Sequence, residues 1–186
     1  MATKAKFSLV FPVSSAIFLV MLLKFASTIL AADDKVVIKE TKMTVYLHDY
    51  AGGPNATSLP MVGFPGKLWS LTQFGTLFVS DDLITQGPEL TSPMLGRGQG
   101  IYMPMSLDGV NAYVSSSLVF TNKAYNGSTI QVQGNSNQLL AVSEYGVVSG
   151  TGKFRYATGY ITFETLSFDP STFYSLIRAN VSVRHD

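Results

Sequence analysis

The chain has 186 residues, a formal charge of +1 and no cysteine. This length suits one domain with a substantial core, and the lack of cysteine excludes disulfides, thiolate catalysis and cysteine-ligated metals. A nearly neutral composition provides no basic surface for nucleic acid, so we expect no nucleic-acid partner.

The N-terminal residues have the layout of a secretory signal peptide. Two lysines precede an apolar run over residues 7–23, and small residues follow before the first acidic pair. A membrane anchor is the alternative, but the run is short for a spanning helix and contains Pro12. We therefore predict a cleaved signal peptide over residues 1–31, a mature domain over residues 32–186, secretion, and no membrane association.

Three glycosylation sequons agree with a secreted protein. They begin at Asn55, Asn126 and Asn180. We expect a glycan on at least one of them, and a glycosylated asparagine must be exposed.

After the leader, apolar and polar residues alternate with a period of two in many short segments. This pattern, with Asn-Gly and Asp-Gly turns between segments and no helical periodicity, predicts an all-antiparallel β fold. The eight segments are 36–50, 67–82, 101–107, 112–122, 129–134, 139–148, 154–168 and 172–185. An eight-stranded β-barrel with a ligand pocket would hide its strand edges, and a β-sandwich is the alternative.

Three aspartates stand at predicted strand ends. Asp49 ends the first segment, and Asp81 and Asp82 end the second. If the ends converge at a barrel mouth, a desolvated carboxyl would have a raised pKa and could donate a proton. Aspartate also caps turns very often, and that role stays open. Strand alternation places Asp81 and Asp82 on opposite faces, and we choose Asp82 as the inward one.

Two further side chains follow the second segment. Arg97 lies between glycines, where it could pair with a carboxylate or hold a loop through backbone carbonyls; we favour the loop. Tyr102 enters the next strand, where it could stack on a phenolic ring, donate a hydrogen bond or simply pack in the core.

Other chemistries find little support in the sequence. His48 and His185 are the only histidines, so neither a histidine-rich metal site nor a Ser-His-Asp triad is indicated. No phosphate-binding loop and no redox-cofactor motif is present. We expect no metal and no cofactor, and we expect that the protein does not itself oxidise a phenol.

Several motifs together resemble the dirigent family of plants. The resemblance covers residues 42–185 in the family's order. It rests on FGT at 74–76, VSDDLIT at 79–85, GPE at 87–89, GRGQGIY at 96–102, HDYAGGPNAT at 48–57, YNGST at 125–129 and SGTGKFRYATGY at 149–160.

The resemblance implies a fold and a set of site residues. Known members are eight-stranded barrels that associate as trimers, so we expect a homo-oligomer, a trimer or a dimer, in the apoplast. It favours Asp49 and Asp82 as pocket acids, and Tyr102 and Thr158 as substrate contacts. Many members have arginine at the position of Thr158, and lignan-forming members often have aspartate at the position of Lys153. These departures put the lignan-type proton-transfer set in doubt.

The family resemblance leaves three functions open. The first, which we favour, is stereoselective coupling of phenoxy radicals, such as those of coniferyl alcohol, made by a separate oxidase (laccase or peroxidase). The second is dehydrative ring closure of an isoflavanol through a quinone methide, as in pterocarpan-forming relatives. The third is ligand binding in the cell wall or in defence, without turnover.

Overall fold

The computed structural model describes Met21 and residues 38–186. The predicted signal peptide and its cleavage site therefore lie outside the described residues. The strands are β1 (Lys39–Tyr50), β2 (Ser58–Val62), β3 (Leu77–Thr85), β4 (Met94–Pro104), β5 (Asn111–Phe120), β6 (Thr129–Asn137), β7 (Val142–Thr151), β8 (Thr158–Asp169) and β9 (Tyr174–His185), with a 3-10 turn at Gly152–Phe154. In this part of the chain, no helix is long and apolar enough to cross a membrane.

The strands form one antiparallel sheet that closes on itself. Going round the barrel, the order is β1, β9, β8, β7, β6, β5, β4, β3, and β1 pairs with β3 to complete the ring. The closing seam is short and includes the pair His48 and Leu83. Strand β2 is a ninth, short strand that pairs with β3. The predicted eight-stranded barrel is therefore confirmed, and the sandwich alternative is wrong.

Some predicted strand bounds need correction. Residues 67–76 form turns and coil, and the glycines at 66 and 75, both with positive φ, bound most of this stretch. The sequence pattern does not predict strand β2, because Pro60 and the glycines around it are typical of a loop. The strand pairs only with β3, and the register of this pairing shifts between Pro60 and Val62. Strand β4 begins at Met94, so the glycine-rich stretch around Arg97 is regular strand.

Apolar side chains fill one end of the barrel, which we call the floor. Alternation along each strand directs every second residue inward. Phe120 and Phe154 pack with their ring centroids 5.4 Å apart, and both are fully buried. Ile130, Val132 and Val183 complete this packing. The opposite end has smaller and more polar inward residues, and that difference leaves room for a cavity.

Candidate functional site

A cavity of about 360 Å³ lies inside the barrel, above the packed floor. This volume is at the lower end of the range usual for small-molecule sites. The lining includes the carboxylates Asp49 and Asp82 and the rings of Tyr102, Tyr145 and Phe163. The last two rings pack together with centroids 5.2 Å apart, and they give the β7–β8 wall an aromatic surface.

The closing seam of the barrel brings Asp49 and Asp82 together. His48 pairs with Leu83, so the next position along each antiparallel strand sets Asp49 beside Asp82. Asp82 lies within β3 rather than at its end, and only 6% of it is exposed. Both carboxylates line the cavity. The site thus holds two neighbouring acids in a largely desolvated wall.

Burial raises the pKa of both carboxyls. For Asp82, burial and then the nearby charge of Asp49 raise the pKa to about 7, although a hydrogen bond donated by Thr57 to Oδ1 at 2.6 Å acts in the opposite direction. Burial alone raises the pKa of Asp49 to about 6. Oδ1 of Asp49 is buried and has no hydrogen-bond partner among the described residues. Near neutral pH, the pair can therefore hold one proton and one negative charge.

Asp81 points away from the cavity and pairs with Arg97. Arg97 Nε donates to Asp81 Oδ1 at 2.8 Å, and the same guanidinium also donates to the backbone carbonyl of Asp81. The hydrogen bond from Arg97 Nε, and after it one from Gln99 Nε2 to the same Oδ1 at 3.2 Å, hold the pKa of the Asp81 carboxyl below its usual value. The interpretation of Arg97 as a loop anchor is corrected: it lies on the outer face of β4 and links β4 to β3.

Tyr102 lies in the cavity wall nearer the open end. Its hydroxyl donates to the carbonyl of Leu71 at 3.3 Å, and Gln138 Nε2 donates to the same oxygen at 2.8 Å. Burial raises the pKa of Tyr102 to about 12, so this hydroxyl keeps its proton under ordinary conditions. Its ring meets Phe78 edge-on at 6.2 Å.

Thr158 lies apart from the cavity that holds the other candidate site residues. It is exposed at the start of β8, opposite Arg184, and it is not part of the cavity lining. Because inward positions on β8 are Ile161, Phe163 and Thr165, the alternation of the strand turns Thr158 outward.

The three sequon asparagines are all exposed, two in turns and one on a strand. Asn55 and Asn126 lie in the turns after β1 and before β6. Asn180 lies on the outer face of β9, where its Oδ1 accepts a hydrogen bond from Thr44 at 2.8 Å. Glycosylation of these residues stays a prediction.

Sequence reasoning missed the hydroxyl groups of the cavity. Ser58, Ser80, Ser116, Ser143 and Ser175 all line it. The spacing of Ser80, two positions before Asp82, could have indicated that it shares the inward face. Whether the other four serines reach the cavity depends on how strands that are distant in sequence pair, and alternation within one strand does not show this.

The comparisons with known proteins agree with this architecture. The profile of dirigent-like proteins matches residues 40–184. Dirigent protein 21 of Arabidopsis thaliana is 34% identical over 79% of this chain and 78% of its own length. Pterocarpan synthase 1 of Glycine max is 33% identical, covering 78% of each chain. The solved structure of the pterocarpan synthase dirigent protein GePTS1 superposes with a TM-score of 0.72 at 31% identity, covering 80% of this chain and 91% of that one. This chain therefore belongs to the dirigent-like family.

Proposed function

We propose that this chain closes a ring in a phenolic substrate by removing water, through a quinone methide, with Asp49 and Asp82 as the proton-transfer pair. The observation that carries the proposal is the pair of neighbouring cavity carboxyls whose pKa values are about 6 and about 7. A general acid is most effective when its pKa lies near the working pH, and an ionised partner can then act as the base.

Each proton in the reaction can be assigned. Asp82, with the higher pKa, donates its proton to the benzylic hydroxyl, and the C–O bond breaks with release of water. The phenol on the same ring loses its proton to solvent and becomes the carbonyl of the quinone methide. A second phenol of the substrate attacks the methide carbon and gives its proton to a carboxylate, and the carbonyl oxygen regains a proton from water. The sum is loss of one water without oxidation.

The size and chemistry of the cavity favour one substrate molecule. About 360 Å³ accommodates one ligand of a few rings better than two separate aromatic molecules. The ring pair of Tyr145 and Phe163 offers a surface on which an aromatic substrate can stack. Two relatives with about one-third sequence identity are named pterocarpan synthases, and an isoflavanol is therefore the first substrate to test.

The test is turnover of an isoflavanol with and without the acids. We expect purified protein to form a pterocarpan without an oxidant, and Asp82→Asn to lose at least about 100-fold in kcat, the usual contribution of a general acid. Asp81→Asn is the matched control, because Asp81 is the adjacent residue but points outward. Normal turnover by Asp82→Asn would refute the proposal.

Stereoselective radical coupling is the second candidate, and the exposure of Leu71 in the cavity lining favours it, because an exposed lining residue marks a place where the cavity meets solvent. A phenoxy radical made outside by a laccase or peroxidase could enter there. In that case the protein would leave coniferyl alcohol unchanged by itself and would alter the enantiomeric ratio once an oxidase is added. Racemic products with the oxidase, together with pterocarpan formation without it, would reject this candidate. Both functions suit a secreted homo-oligomer of the apoplast, which we retain as part of the proposal.

A further inference from the structure

Three serines stand at one level of the barrel, across neighbouring strands. Ser58 of β2 is the cross-strand partner of Ser80 of β3. Ser80 in turn pairs with Gly100 of β4, and Gly100 pairs with Ser116 of β5. All four residues line the cavity. We call Ser58, Ser80 and Ser116 the serine row.

The hydroxyls of this row are available to a ligand. Within residues 38–186, the side chains of Ser58 and Ser80 make no hydrogen bond, although Ser58 is only 8% exposed. Ser116 donates to the carbonyl of Gln99 at 3.2 Å and keeps its lone pairs free. A Cβ on Gly100 would come within 2.6 Å of the backbone oxygen of Ser115 and 2.7 Å of the Cβ of Ser116, so the glycine allows β5 to lie close to β4 at this level.

The row lies one inward position above the carboxylates, on the side of the open end. Along β3, Ser80 and Asp82 are two residues apart, which is about 7 Å. Asp82 pairs with Gly98 and Ser80 with Gly100, so the same step is repeated on β4. This distance is close to the separation of the two oxygens in a benzene ring that carries a phenolic hydroxyl and, para to it, a hydroxymethyl group.

We propose that the serine row binds the phenolic oxygen of the substrate while the benzylic carbon para to it lies against Asp49 and Asp82. The substrate class is then the para-hydroxybenzylic alcohols. This inference rests on the proposed function and assigns to the row a role in positioning and specificity. Ser58 and Ser80 can each donate a hydrogen bond, and both can point to one oxygen acceptor.

The chemistry gives this contact a purpose at the step that closes the ring. As the benzylic C–O bond breaks, electrons move from the phenolic oxygen through the ring, and the O–H proton leaves to water at the open end. The oxygen becomes the carbonyl of the quinone methide, an acceptor that two serine hydroxyls can satisfy. When the second phenol then attacks the methide carbon, electrons return to this oxygen, which gains negative charge before it takes a proton from water. Donors placed where that charge develops stabilise the transition state more than the bound substrate.

The test measures binding of three small probes by calorimetry or NMR titration: 4-hydroxybenzyl alcohol, 3-hydroxybenzyl alcohol and benzyl alcohol. We expect the unmodified protein to bind the para isomer most tightly. The double variant Ser58→Ala/Ser80→Ala should lose roughly three- to tenfold of that affinity for each hydrogen bond removed, and should bind benzyl alcohol as before. Ser117→Ala is the matched control, because Ser117 lies on β5 next to Ser116 but does not line the cavity.

The inference is overturned if the unmodified protein does not prefer the para isomer, or if the double variant keeps that preference. An equal loss for all three probes would also overturn it, because that result would indicate general damage to the cavity. These measurements require no turnover, so they remain decisive even if Asp82→Asn were to leave cyclisation unchanged. Conversely, a failure of the serine row would leave the acid–base proposal standing.

Discussion

Replacing Asp82 with asparagine removes one buried acid and keeps its shape and an acceptor for the hydrogen bond from Thr57. In the folded protein the pKa of Asp82 is about 7, whereas an aspartate in an unfolded chain has a pKa of about 3.9. The folded state therefore binds this proton more tightly. It follows that the contribution of Asp82 to stability is complete below pH 4 and is lost as the pH rises through 7.

The expected magnitude follows from that difference in pKa. It corresponds to about 4 kcal/mol of unfolding free energy, lost by the unmodified protein between about pH 4 and pH 8. The Asp82→Asn variant lacks this titrating carboxyl. Its unfolding free energy relative to that of the unmodified protein should therefore increase by about 4 kcal/mol between about pH 4 and pH 8. In a domain of this size, this is equivalent to a rise in Tm of roughly 10 °C.

Urea unfolding at several pH values between 4 and 8 measures this difference directly. The control is Asp81→Asn, where the pKa shift has the opposite sign. Because Arg97 lowers the pKa of Asp81, its stabilising contribution is complete above the unfolded pKa and is lost only as the pH falls through the folded pKa. The stability difference between this variant and the unmodified protein should therefore stay nearly constant from about pH 5 to pH 8. If Asp82→Asn and the unmodified protein showed parallel dependence on pH, the Asp82 carboxyl would be an ordinary ionised group and the acid role would be refuted.

Three further predictions concern activity and packing. The pH profile of kcat/KM should be bell-shaped with limbs near 6 and 7, since one of Asp49 and Asp82 must be ionised and the other protonated; a flat profile from pH 5 to 8 would contradict this. Gly98→Ala should fold with a stability loss of about 1–3 kcal/mol, because the new methyl would lie 2.9 Å from Leu47 Cδ2 inside the barrel. The variant should also reject bulkier substrates, since Gly98 lines the cavity, and an unaltered size preference would argue against this. His48→Ala should cost about 1–3 kcal/mol in urea unfolding, because the buried imidazole is hydrogen-bonded on both sides near the closing seam, and a neutral result would contradict this.

Much of the fold could be predicted from local pattern. Alternation with a period of two is a property of each strand alone, so it indicated an all-β chain of eight main segments before any pairing was known. The same rule separated Asp81 from Asp82, and the structure places Asp82 in the cavity wall and Asp81 outside. Strand β2 escaped detection because Pro60 and the neighbouring glycines resemble a loop. Local signals are reliable where the residue types and the alternation agree.

The assembly of the site was decided by tertiary structure. Asp49 and Asp82 become neighbours only because β1 closes on β3, and closure depends on the register of all eight strands together. The serine row likewise needs three separate pairings to bring Ser58, Ser80 and Ser116 to one level. Thr158 shows the reverse case: its place in a family motif suggested the pocket, but the start of β8 after the 3-10 turn directs it outward. Sequence determined which residues alternate, and the register of the closed barrel determined which of them meet.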